Sequence, residues 1–135
     1  MSKVVIAGAG AFGTALALTQ LRADRDGTLV GRNTAEMARS RENPRLPGCS
    51  VPKILKITDH LTITTDDILL LCIPTQQLDT YLSGKSLTPK AAIACCKGID
   101  LATGRGPADI LRAHIDAPAS CDTKIGILTG PSFAA

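Results

Sequence analysis

The stretch Val4-Val5-Ile6-Ala7-Gly8-Ala9-Gly10-Ala11-Phe12-Gly13 decides the fold. An apolar run with β-branched members reads as a buried strand, and it breaks into the spacing G-x-G-x-x-G. Thr14 to Leu21 then carry small and apolar residues at helical spacing, with no proline. A strand, a tight turn and a helix in that order suit the diphosphate of a dinucleotide. Gly8 makes the turn, Gly10 lets the backbone approach the diphosphate, and Gly13 lets the helix press against the strand. Ala11 and Phe12 open the helix, where amides face the ligand and the aligned peptide dipoles add about half a positive charge. The same glycine spacing also occurs in turns needed only for close packing. Here the flanking strand and helix favour the ligand-binding reading.

Outward from this stretch, apolar runs and helical patterns alternate. Strands are expected over 3–7, 28–31, 61–64, 67–73, 91–96 and 124–129, and helices over 12–23, 34–42, 76–82 and 107–115. Ile68-Leu69-Leu70-Leu71-Cys72-Ile73 is continuously apolar, as a strand covered on both faces of a parallel sheet must be. The pattern is α/β: a Rossmann-type, doubly wound, mostly parallel sheet, with 1–135 forming a single NAD(P)-binding domain. Asn43 to Gly48 and Val51-Pro52 form a proline-rich loop inside it.

Composition narrows the function classes. A hydrophobic content of 44% over 135 residues supports a real core. The net charge of +3 is small and dispersed, and Phe12, Tyr81 and Phe133 are the only aromatic residues, so a nucleic-acid partner is not expected. No apolar run approaches the ~20 residues of a membrane span. The chain enters its first strand directly after Met1, so a cytoplasmic location is expected. The five cysteines, Cys49, Cys72, Cys95, Cys96 and Cys121, are odd in number and lack C-x-x-C spacing. They read as reduced core or loop residues, with Cys95 and Cys96 on opposite faces of a strand. His60 and His114 read as surface residues with no carboxylate or nucleophile beside them. No metal site is expected.

Ligands of an open parallel sheet bind outside the carboxyl ends of its strands, where the strand order reverses. The unusual residues fall at those ends: Gly8 to Gly13, Arg32 and Asn33, Pro74-Thr75-Gln76, Lys97-Gly98, and Gly130-Pro131-Ser132. After the second strand stands Val30-Gly31-Arg32-Asn33, with no acid to accept from a ribose 2′-hydroxyl. Asp24 and Asp26 lie at the strand's other end. A charge-assisted bond from Arg32 to a 2′-phosphate contributes about 1.5–3 kcal/mol, which favours NADP over NAD. Lys97 would point into the cleft and meet an anionic substrate, its alternative being a solvated turn. Arg39, Arg41 and Arg45 read as a solvated face.

Taken together, these residues resemble the N-terminal domain of the NAD(P)-dependent glycerol-3-phosphate dehydrogenases. The resemblance is carried by Gly8-Ala9-Gly10-Ala11-Phe12-Gly13-Thr14-Ala15-Leu16-Ala17, Gly31-Arg32-Asn33, Leu46-Pro47-Gly48, Ile73-Pro74-Thr75-Gln76, Cys96-Lys97-Gly98-Ile99 and Gly130-Pro131-Ser132-Phe133-Ala134. It implies reversible hydride transfer between NAD(P)H and dihydroxyacetone phosphate, giving sn-glycerol 3-phosphate for phospholipid synthesis. It also implies that Ala11, Phe12, Arg32 and Ala134 line the cofactor. Lys97 would touch both cofactor and substrate, and Gly130 and Ser132 would contact the substrate.

The chain departs from the family in two places. Arg45 stands where an aromatic residue is expected before Leu46-Pro47-Gly48. The family's helical C-terminal domain, with its catalytic lysine and phosphate clamp, is expected to lie outside these residues. No catalytic residue is therefore expected within 1–135, turnover by this chain alone is not expected, and an uncovered sheet edge should favour self-association. Two other readings share the glycine fingerprint: a related hydroxyacid or hydroxyacyl dehydrogenase, and a non-catalytic nucleotide-binding or redox-sensing module.

Overall fold

The computed structural model describes residues 3–115 and 122–129. Along the chain run β1 (Val4–Ala7), α1 (Ala11–Arg22), β2 (Gly27–Val30), α2 (Ala35–Ser40), β3 (Lys56–Thr58), β4 (Ile68–Leu71), α3 (Thr75–Leu82), β5 (Ala91–Ala94), α4 (Pro107–Ile115) and β6 (Lys124–Ile127). The strands form one parallel sheet in the order β3-β2-β1-β4-β5-β6. The chain winds outward from β1 to β3, crosses back to the centre, and winds outward again to β6. The order therefore reverses between β1 and β4.

The period-2 alternation of β1 divides the core. Val4 and Ile6 pack with Leu29, Leu70, Leu55 and Ala17 of α1 on one face. Val5 and Ala7 pack with Leu69, Leu71 and Ala92 on the other face, under Leu78 and Leu82 of α3 and Ile110, Leu111 and Ile115 of α4. Helices cover both faces, so every residue of β1 and β2 is buried and neither strand alternates in polarity. Each fully buried Leu or Ile contributes about 1.5–3 kcal/mol over leaving it in water.

One expected strand is misplaced. The third strand is Lys56–Thr58, paired with Thr28 to Val30, and 61–64 is not a strand. Leu61 and Ile63 instead pack, partly buried, against the α3 and α4 face of the core. They anchor the crossover that carries the chain from the sheet edge back to its centre. An apolar residue at every second position can press a crossover onto a sheet as well as it can build a strand. β4 and β5 also end at Leu71 and Ala94, two residues earlier than expected. Cys72, Ile73, Cys95 and Cys96 consequently fall just past the strand ends.

His114 is a second correction. Its side chain is only 20% exposed, and its Nε2 lies 2.6 Å from Asp79 Oδ1, which also accepts from Arg105 Nη2 at 3.1 Å. Asp79 belongs to α3 and His114 to α4, so the pair fastens the two helices together. The His114 and Arg105 contacts hold the Asp79 carboxyl below its ordinary value. His60 is exposed, as expected, but a carboxylate does stand beside it, Asp59 Oδ1 lying 3.3 Å from its Nε2. β6 forms one sheet edge, with Ile127 and Leu128 exposed beside it. Among the described residues no helix is long and apolar enough to cross a membrane, and no group of three or more His, Cys, Asp or Glu could hold a metal ion.

Candidate dinucleotide-binding site

The reversal of strand order leaves a crevice above β1 and β4, and the glycine loop fills its near side. Gly8 has φ +114°, and a Cβ there would sit 2.3 Å from the Cys72 carbonyl oxygen. Only glycine satisfies both constraints. A Cβ on Gly13 would fall 1.9 Å from the Gly8 carbonyl oxygen, so α1 can seat on the loop only without a side chain there. The first intrahelical bond runs from the Thr14 amide to the Gly10 carbonyl (3.0 Å). The amides of Ala11, Phe12 and Gly13 thus have no intrahelical acceptor and point out of the helix start. The first turn of α1 holds no acidic residue, so no side-chain carboxylate there competes with an incoming anion.

Side chains from a distant loop fix this turn in place. Asn43, buried, donates from Nδ2 to the Ala9 carbonyl (3.0 Å) and to Thr14 Oγ1 (2.8 Å). Its Oδ1 accepts the Arg45 amide (3.0 Å), closing an Asx turn that is followed by exposed Arg45. Arg45 Nη1 then lies 4.0 Å from where a Gly10 Cβ would be. Arg45, expected on a solvated face, is solvent-exposed and also stands beside the loop.

On the far side lies a cleft of about 360 Å³ lined by Phe12, Cys72, Ile73, Pro74, Thr75, Gln76, Cys95, Cys96 and Lys97. Phe12 presents its ring with 42% exposure. Thr75 Oγ1 donates to the Lys97 carbonyl (2.6 Å), and Gln76 holds the next turn with both ends of its amide. Its Nε2 donates to the Ile99 carbonyl (2.8 Å) and its Oε1 accepts the Leu101 amide (2.9 Å). The start of α3 thereby sets the position of Lys97. Three half-buried thiols stand at the same edge, where the sequence suggested ordinary core or loop cysteines. The Cys95 thiol donates to the Ile93 carbonyl (3.8 Å), and the neighbouring Cys95 together with burial raises Cys72 far above the ordinary thiol range. The neighbouring Cys72 lowers Cys95, and burial raises Cys96.

Of the residues singled out in the sequence, Gly8, Gly10, Ala11, Phe12 and Gly13 come together in one turn, and Phe12 and Lys97 share the cleft. Arg32 is exposed in the turn after β2, on the other side of the glycine loop from Lys97. Gly130, Ser132 and Ala134 lie outside the described residues. Asn43 and Thr14 were not foreseen as a tie across the loop. The local signal for Asn43 was the Asn-Pro pair of a turn, and nothing near it in sequence names its partners.

A parallel sheet wound both ways from its centre, with a glycine-rich loop and a helix start at the reversal, defines a Rossmann-type dinucleotide-binding domain. A family model described as NAD-dependent glycerol-3-phosphate dehydrogenase N-terminus matches residues 3–135, and the chain belongs to that family. It is 43% identical over 133 residues to a glycerol-3-phosphate dehydrogenase [NAD(P)+] of Jannaschia sp. (strain CCS1), covering 98% of this chain and 41% of that protein. To the protein of the same description from Paracoccus denitrificans (strain Pd 1222) it is 45% identical over 134 residues, covering 98% and 40%. The chain thus spans about two fifths of the length of the curated relatives it matches. Among solved structures, glycerol-3-phosphate dehydrogenase from Coxiella burnetii superposes with a TM-score of 0.73 at 20% identity, over 97% of this chain and 41% of that one. At that identity the likeness concerns the fold alone.

Proposed function

We propose that residues 1–135 are the cofactor-binding domain of a glycerol-3-phosphate dehydrogenase, serving hydride transfer between NAD(P)H and dihydroxyacetone phosphate or sn-glycerol 3-phosphate. The observation that carries this is the Gly8 to Gly13 turn at the strand reversal, with the Ala11, Phe12 and Gly13 amides facing outward, in a chain of this family. The residues fit a dinucleotide: a cradle that a Cβ at Gly8 or Gly13 would fill, and amide donors with no carboxylate beside them in the helix's first turn. Gly8, Gly10, Ala11, Phe12 and Gly13 hold the diphosphate, and Arg32 takes the adenosine 2′-phosphate, making NADP the preferred cofactor over NAD. When bound, the nicotinamide supplies the hydride. Phe12 and Lys97 flank its end of the cleft, and Lys97 meets the substrate phosphate or carbonyl.

By the family reading, Ala134 adds to the cofactor contacts and Gly130 and Ser132 to those of the substrate. No residue of the chain is assigned the proton transfer, and no metal is assigned. The same reading makes the protein cytoplasmic, where half-buried thiols beside a cofactor cleft stay reduced. The β6 edge, with Ile127 and Leu128 exposed, supports self-association.

Calorimetric titration with NADPH and NADH tests the assignment. NADPH should bind more tightly, and Arg32→Ala should weaken NADPH by about 1.5–3 kcal/mol while leaving NADH nearly unchanged. Equal affinities would remove Arg32 as the selector, and failure to bind either dinucleotide would remove the cofactor site.

A further inference from the structure

β4 and β5 pair in parallel with Leu71 opposite Ala94, so the next residues, Cys72 and Cys95, stand opposite each other. Neighbouring strands lie about 4.8 Å apart, inside the Cα separation of about 4.4–6.8 Å that a disulfide spans. Both side chains pack on the α1 face with the cluster of Ile6 and Leu70, whereas Cys96 packs on the opposite face with Leu71 and Ala94. The two thiols are half-buried and open to the same cleft beside Phe12 and Lys97. Neither has a task in the cofactor contacts proposed above.

We propose that Cys72 and Cys95 are a peroxide-oxidisable thiol pair whose disulfide closes the adjoining dinucleotide site; the closure rests on the cofactor reading, the pair itself does not. Cys95, lowered by its neighbour Cys72 while Cys72 itself is raised, is the more acidic of the two and attacks first. Its S–O bond forms as the O–O bond of hydrogen peroxide breaks, and the thiol proton leaves with the departing hydroxide as water. Cys72 then displaces hydroxide from the Cys95 sulfenic acid. The S–S bond forms, the S–O bond breaks, and the Cys72 proton leaves in a second water. Two thiols lose two electrons, and one peroxide becomes two waters. A dithiol reductant reverses the change.

Closure follows from what Cys72 touches. Its Cβ lies 3.3 Å from the Cβ position of Gly8 and 3.4 Å from that of Gly13, and its carbonyl blocks the Gly8 position at 2.3 Å. Cys72 is thus the floor of the glycine turn, and drawing its sulfur to about 2.05 Å from that of Cys95 shifts the floor.

The test treats the 135-residue chain with hydrogen peroxide, digests it with trypsin without reduction, and maps linked peptides by mass spectrometry. Lys85 and Lys90 separate the two cysteines into different peptides. The expected product joins Cys72 to Cys95. It should be lost in Cys72→Ser and in Cys95→Ser and kept in Cys96→Ser, while Cys72→Ser should leave a dimedone-reactive sulfenic acid on Cys95. The oxidised chain should bind NADPH about tenfold or more weakly, recovering with dithiothreitol. Linkage elsewhere, or both thiols left reduced while Cys49 oxidises, would overturn the pair. Linkage with undiminished NADPH affinity would overturn the closure. A reduced chain that forms the link yet never binds a dinucleotide would overturn the cofactor reading and leave the thiol pair standing.

Discussion

Gly13→Ala would place a methyl group 1.9 Å from the Gly8 carbonyl oxygen and 3.4 Å from Cys72 Cβ. Ordinary contact needs about 3.5 Å, and the obstacle is backbone that no side-chain rotation can clear. That backbone is pinned, since the Gly8 amide donates to the Val30 carbonyl at 2.8 Å. Overpacking of this kind costs about 1–3 kcal/mol, and removing a glycine from a helix returns about 1 kcal/mol, so a net loss of about 1 kcal/mol is expected. For a domain of this size that lowers Tm by roughly 3–5 °C.

Gly10→Ala is the matched control. Its backbone is extended (φ −77°, ψ −171°), and the nearest atom to the new methyl would be Arg45 Nη1 at 4.0 Å. The stability cost is that of alanine for glycine at a helix N-cap, about 1 kcal/mol or less. The methyl would nonetheless stand where a diphosphate must approach, so NADPH binding should fall while the fold persists. Thermal melts followed by circular dichroism, paired with calorimetric titration, separate the two effects. A Gly13→Ala chain melting with the wild type, or a Gly10→Ala chain binding NADPH undiminished, would refute the steric reasoning.

Two further outcomes are expected away from the glycines. Asn43→Ala strands the buried Thr14 hydroxyl and the Ala9 carbonyl, so urea unfolding should show a loss of about 1–3 kcal/mol with weaker NADPH binding; unchanged stability would show that the tie is dispensable. Asp79 titrates below its ordinary 3.8 in the folded chain, first through His114 and then through Arg105. A lowered folded pKa stabilises the fold above the unfolded value and ceases to do so as pH falls through the folded one. Asp79→Asn should therefore lower the urea midpoint near pH 6 and make it less sensitive to acidification below about pH 4. Parallel acid limbs for variant and wild type would contradict the assignment.

The local signals in this chain were strong where one residue type had one use. The continuous apolar runs of β1 and β4 could only be buried strands, and the glycines of the first turn mapped directly onto backbone that leaves no room for a Cβ. Leu61 and Ile63 misled because alternation records which side of a segment is apolar, not whether its backbone bonds to a neighbour. His114 misled because its partner, Asp79, is 35 residues away and one helix over. Asn43 reaches 34 residues back to Ala9, and Cys72 meets Cys95 only once the register of β4 and β5 is known. The His114, Asn43 and Cys72 contacts are long-range and polar or sulfur-based, a kind that leaves no periodicity behind.

β1 is the hinge of the assembly order as well as of the sheet. It pairs with β2 from Gly27 onward and with β4 from Ile68 onward, so a chain emerging from the ribosome can zip its first two strands early but must wait for Leu71 before the centre is complete. The last piece to arrive includes Cys72, against whose carbonyl and Cβ the Gly8 turn is moulded. Until then the turn has no floor, and only the Asn43 tie and the Gly8 to Val30 bond can hold it. Competence to hold an anion therefore marks the moment at which two halves, separated by a long helix-free crossover, have docked. On a nascent chain, gain of dinucleotide affinity would be a clock for that docking.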